Sequence, residues 1–103
     1  MVHDVINRLE ATIRERRGAD PASSYVASLF AMGTPKIAQK VGEEATETVI
    51  AALARPDTLA SEAADLVFHL LVLLADAGLG LADVAAELAR REGLSGHEEK
   101  AGR

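Results

Sequence analysis

The chain has 103 residues, 49% of them apolar and 3% aromatic, with no cysteine and a formal net charge of −5. That length sets one domain, and the lack of cysteine excludes disulfides, zinc–thiolate sites and a thiol nucleophile. The acidic balance argues against general nucleic-acid binding, and Tyr25, Phe30 and Phe68 are too few to make a base-stacking platform.

Residues 2–17 place Val2, Val5, Ile6, Leu9 and Ile13 at helical spacing, with Arg and Glu opposite, and Gly18 ends that helix. Gly18-Ala19-Asp20-Pro21 reads as a turn. Ser23 or Ser24 can cap a short helix through Met32, which Gly33 stops. Thr34-Pro35 reads as an N-cap followed by proline at the first helical position, and Pro56 closes the helix near Ala54. Asp57 or Thr58 caps the fourth helix, which reaches about Ala77 with Gly78 as its stop. Leu66, Val67, Phe68, Leu70, Leu71, Val72, Leu73 and Leu74 cover nearly every direction around it. A helix apolar all round must be buried all round, and one small subunit has too few other helices to do that, so a partner chain is expected on it. The last helix runs from Leu81 to about Glu92, with Val84 and Leu88 inward. No strand signal occurs. The expected architecture is all-α, a bundle of four to five helices over residues 1–93, with a polar tail at 94–103 expected to be mobile. The apolar run Leu66–Ala75, broken by His69, is too short to span a bilayer, and the start lacks a signal-peptide pattern.

Two acidic clusters fall in these core-forming helices. On a helix turning about 100° per residue, Glu47 lies roughly 40° from Glu43 and 60° from Glu44, so the three share one side. Glu62 and Asp65, three apart on the next helix, share a face in the same way. Like charges at such spacings repel, and a hard divalent cation held by oxygens offsets that cost. Mg²⁺ suits carboxylates that work with phosphate groups. The i, i+3 pairs Glu44/Glu47 and Glu62/Asp65 are the candidate ligands, as in carboxylate sites inside helix bundles. Glu43 is the candidate to orient or deprotonate a water, or a ligand to a second ion. A solvated acidic face is the alternative reading. Lys36 and Lys40, one turn apart, are candidates to hold phosphate oxygens, against ordinary pairing of Lys40 with Glu44. Arg90, Arg91, Lys100 and Arg103 form a late basic group, read as a solvated terminus. His69, one turn beyond Asp65, reads as a core histidine rather than a ligand, because oxygen suits Mg²⁺ better than imidazole.

Ser24-Tyr25-Val26, the string from Gly33-Thr34-Pro35-Lys36 through Lys40-Val41-Gly42-Glu43-Glu44-Ala45-Thr46-Glu47, and Glu62-Ala63-Ala64-Asp65-Leu66-Val67-Phe68-His69 together resemble the phosphoribosyl-ATP pyrophosphatase family. That family lies within the MazG-like all-α nucleoside triphosphate pyrophosphohydrolases. The resemblance covers almost the whole chain, including Ser95-Gly96-His97-Glu98-Glu99-Lys100. Phe68 stands where relatives often carry tyrosine. The resemblance implies a Mg²⁺-dependent, ATP-related nucleotide-binding hydrolase of histidine biosynthesis, cytoplasmic and homodimeric, that converts phosphoribosyl-ATP and water to phosphoribosyl-AMP and pyrophosphate. It carries over Glu44, Glu47, Glu62 and Asp65 as metal ligands, with Glu43 alongside. The chain is expected to be the stand-alone form, without a fused cyclohydrolase, and to need no nucleic acid or membrane. Two alternatives stay open: a house-cleaning pyrophosphohydrolase of free nucleotides such as dCTP or dUTP, and a helical dimerisation module with no activity.

Overall fold

The computed structural model describes residues 1–94. Five α-helices and one 3₁₀ turn follow in order: α1 (Val2–Arg16), α2 (Tyr25–Met32), α3 (Thr34–Ala54), the turn Pro56–Thr58, α4 (Leu59–Asp76) and α5 (Leu81–Arg90). No strand occurs among the described residues, so the fold is all-α. The expected tail lies, from residue 95, outside the described residues.

Local chemistry sets the helix ends. The Ser24 side chain accepts from the Ala27 N–H and caps α2, which satisfies one of the donors left open at a helix start. Gly33 follows at φ 90°, a backbone state that a Cβ disfavours, and the chain reverses there into α3. Gly78, at φ 78°, ends α4, where the Leu79 N–H returns to the Leu74 carbonyl at 2.8 Å. Two expected caps sit differently. Thr34 is the first helical residue of α3 rather than its cap, and its hydroxyl donates to Asp76 at the far end of α4. Thr58 does precede α4, but its hydroxyl turns back to the Arg55 carbonyl at 2.8 Å. In both, the hydroxyl donates to an acceptor elsewhere, and no side-chain bond caps the helix's own N–H groups.

Helices α3 and α4 form an antiparallel hairpin, and theirs is the most extensive contact in the fold. Thr34–Asp76 ties one end. Nearer the other end, the Thr48 hydroxyl lies 2.8 Å from the Glu44 carbonyl and 3.2 Å from the Glu62 carbonyl. Helices α1 and α2 pack across the C-terminal half of α4. The core they enclose is Ile13, Val26, Leu29, Ile37, Leu71 and Val72. Burying side chains of this size contributes about 1.5–3 kcal/mol each. Arg17 stitches the rim: it donates to the Ala75 carbonyl at 2.8 Å, pairs with Asp76 and lies over the Phe30 ring. Helix α5 is tethered at its start, where Glu10 of α1 accepts from the Leu81 N–H and Asp83 from the Gly80 N–H, each at 2.8 Å.

The all-round burial of α4 is not achieved within one chain. Only His69, Leu71 and Val72 are buried along it, while Val67 and Leu70 stay exposed, as do Val49, Ile50 and Leu53 on α3. Leu88, expected inward, is exposed; Val84 is half-buried. By length and composition alone, Pro56–Asp76 is apolar enough to cross a membrane. The core helix of a soluble protein passes the same test, and this one carries Glu62, Asp65 and His69 and lies along α3, so it reads as a packing helix.

Candidate metal centre

The hairpin brings three of the predicted carboxylates together. Oxygens of Glu44 on α3 and of Glu62 and Asp65 on α4 all lie within 4.8 Å of one another, with the two glutamates half-buried and Asp65 exposed. Their spacing explains this. Glu62 and Asp65 stand three apart on one face of α4, and antiparallel pairing of α3 sets Glu44 opposite them. Three anions this close repel unless a cation or a proton intervenes. An all-oxygen donor set fits a hard divalent ion rather than zinc or copper.

Glu47, one turn beyond Glu44, stands outside that group. Its carboxylate pairs with Arg55 at 3.6 Å, and both side chains are about half-exposed. Arg55 was not singled out in the sequence, because it lies just past the end of α3, where the backbone leaves helical geometry at φ −142° and ψ 62°. Glu43 faces Gln39 and Lys40, with the Gln39 amide donating at 2.9 Å and the Lys40 ammonium at 3.4 Å. The Gln39 hydrogen bond, then Lys40, holds the Glu43 carboxyl below the ordinary carboxylate range. Lys40 thus pairs with the residue three ahead, Glu43, and not with Glu44. Its ammonium is held above its usual range, first by the negative charge that Tyr25 carries when ionised and then by Glu43. Lys36 is exposed on the preceding turn and adds to the field that lowers Glu43.

Thr48 escaped the sequence reading, although its i+4 position after Glu44 was a signal for back-bonding to the helix carbonyl. Its one hydroxyl hydrogen is shared between the carbonyls of Glu44 and Glu62, so it joins the two helices at the residues that carry two of the carboxylates. His69 is a buried core histidine, as expected. Its Nδ1 lies 2.8 Å from the Asp65 carbonyl and its Nε2 2.9 Å from the Tyr25 hydroxyl. Both ring nitrogens are engaged, and neither is free to ligate an ion. Arg90 and Arg91 close on Glu87. Lys100 and Arg103 lie outside the described residues.

Residues 6–92 match the family described as Phosphoribosyl-ATP pyrophosphohydrolase. The chain belongs to that family. It is 65% identical to the phosphoribosyl-ATP pyrophosphatase of Rhizorhabdus wittichii over 95% of this chain and 93% of the relative. It is likewise 65% identical to that of Erythrobacter litoralis over 97% of each. The Zymomonas mobilis enzyme is 61% identical across 100% of this chain and 97% of its own. The family suggests a divalent metal, and the acidic cluster is a group of residues that could hold one; the family also implies a small nucleotide as the substrate class.

Proposed function

We propose that the chain hydrolyses phosphoribosyl-ATP to phosphoribosyl-AMP and pyrophosphate, the second step of histidine biosynthesis, with Mg²⁺ held by Glu44, Glu62 and Asp65. The convergence of those three carboxylates across the hairpin carries this reading. The relatives' names support the substrate. Glu47 completes the set when its exposed carboxylate swings from Arg55. Bound there, Mg²⁺ supplies charge neutralisation on the phosphate oxygens and the leaving pyrophosphate. Water oxygen attacks the α-phosphorus, the bond to the bridging oxygen of the β-phosphate breaks, and the water's proton passes to a neighbouring base. Glu43 orients that water. Like any carboxylate it is ionised at neutral pH and can accept from the water. Lys36 and Lys40 sit as point charges for phosphate oxygens along the same helix. The exposed Val67 and Leu70 of α4 and Val49, Ile50 and Leu53 of α3 are covered by a second copy of the chain. The homodimer works in the cytoplasm, without nucleic acid or membrane.

The test is incubation of the purified chain with Mg²⁺ and phosphoribosyl-ATP, set beside ATP, dCTP and dUTP, with released pyrophosphate as the readout. Turnover of phosphoribosyl-ATP that chelation of the metal stops is the expected result. Turnover of the free deoxynucleotides alone would assign the chain to the house-cleaning reaction, and no turnover of any would leave a helical dimerisation module.

A further inference from the structure

The contacts of His69, one turn beyond Asp65 on α4, fix the direction of a hydrogen bond. Its Nδ1 is 2.8 Å from the main-chain carbonyl of Asp65. A carbonyl only accepts, so Nδ1 carries the ring proton, and in the neutral imidazole Nε2 is left with a lone pair. The Tyr25 hydroxyl, 2.9 Å from Nε2, therefore donates its one hydrogen to His69. What remains on that oxygen is acceptor capacity alone.

The phenol is also held in place. Phe68 stacks on the Tyr25 ring at 6.0 Å between centroids, and the His69 ring meets both edge-on. Tyr25 is nonetheless 52% exposed. Its oxygen is thus a positioned acceptor on a side chain that is part open to solvent. Asp65 lies one turn before His69 on α4, and Lys40 of α3 sits within the electrostatic reach of the phenol oxygen. A phosphate placed on the Tyr25 oxygen would set acceptor against acceptor, since phosphate oxygens at neutral pH carry no hydrogen to give. The donors of a phosphoribosylated nucleotide are chiefly its sugar hydroxyls.

The geometry points to Tyr25 as a specificity-determining residue whose oxygen accepts a hydrogen bond from a ribose hydroxyl of the substrate, with His69 the positioning residue that sets this polarity. The assignment rests on the phosphoribosyl-ATP reading above and deepens it. It divides labour around the cluster: cations take the phosphates and Tyr25 reads the sugar. A site that accepts from a hydroxyl disfavours an analogue lacking it.

Two measurements test this. In ¹⁵N-labelled protein, long-range ¹H–¹⁵N spectra should show the neutral His69 ring protonated on Nδ1; a ring protonated on Nε2 alone overturns the assignment. Calorimetric titration of wild type and Tyr25→Phe with phosphoribosyl-AMP, and separately with Mg²⁺-pyrophosphate, reads the partner. Phenylalanine keeps the ring stacked on Phe68, and the same spectra report that the fold is intact. Tyr25→Phe should bind phosphoribosyl-AMP about three- to tenfold more weakly, the value of one net hydrogen bond, and pyrophosphate within about twofold of wild type. In turnover of phosphoribosyl-ATP the same variant should raise KM with little change in kcat, the pattern of uniform binding. Unchanged phosphoribosyl-AMP binding, or a loss that falls on pyrophosphate, overturns the role of Tyr25 while leaving the substrate reading intact. Failure of the wild-type chain to hydrolyse phosphoribosyl-ATP removes the substrate reading, and this assignment with it.

Discussion

Asp65 shows how one residue serves both backbone and chemistry: its carboxylate joins Glu44 and Glu62, while its carbonyl fixes the His69 ring. Replacing Glu44 or Asp65 by Ala should lower turnover by at least about 10²-fold, because several kcal/mol of charge stabilisation depend on the ion proposed to bind them; steady-state kinetics checks this. Glu47→Ala should abolish turnover as well, and intact activity in that variant would take Glu47 out of the ligand set and leave it as the partner of Arg55. That Glu62 and Asp65 share a face was legible from their i, i+3 spacing, and the antiparallel pairing of consecutive helices brings Glu44 to them. The diversion of Glu47 was not legible, since it depends on how the chain leaves α3. The same holds for Tyr25, whose link to His69 joins residues far apart in the chain. A second effect belongs to Glu87, whose carboxyl Arg90 and then Arg91 pull down from 4.5 to about 2. A depressed folded-state pKa stabilises fully above the ordinary value, and that contribution is lost as pH falls from about 4.5 through about 2. Acid unfolding followed by circular dichroism should therefore be flatter over that window in Glu87→Gln than in wild type.

The hairpin of α3 and α4 is the element on which the site is built. Thr48 bridges its two backbones beside the cluster, so Thr48→Val should cost about 1 kcal/mol of stability for the lost hydrogen bond. Ile37, fully buried between α3 and the core, should cost about 2–5 kcal/mol when cut to Ala. Denaturant unfolding measures both. The elements themselves were readable because glycine and proline mark their ends: Gly33, Pro56 and Gly78 stand where the helices stop. Which hydroxyl caps which helix was not readable. Thr34 has the right type and place for a cap, yet its hydroxyl donates to Asp76, which the antiparallel pairing brings to the same end of the hairpin from 42 residues on, and no local rule anticipates that acceptor.

For the whole molecule, the all-α architecture follows from composition and periodicity, but the sequence read α4 as covered on every side, and the single chain leaves Val67 and Leu70 open. Leu70→Asp should accordingly shift the protein toward monomer in sedimentation, without unfolding its helices. The proposed ion should also raise global stability, since a ligand bound only by the folded state stabilises it in proportion to ln(1 + [L]/Kd). The crowded carboxylates should make the metal-free protein less stable than one with a neutral amide in their midst, by about 0.2–0.5 kcal/mol for a like-charge pair at helical spacing. The most direct measurement is thermal unfolding of wild type and Asp65→Asn across a Mg²⁺ titration. The wild-type midpoint should climb with Mg²⁺, while Asp65→Asn should begin higher in chelator and stay nearly flat. A wild-type midpoint indifferent to Mg²⁺, or an equal climb in both proteins, would contradict a metal centre at Glu44, Glu62 and Asp65.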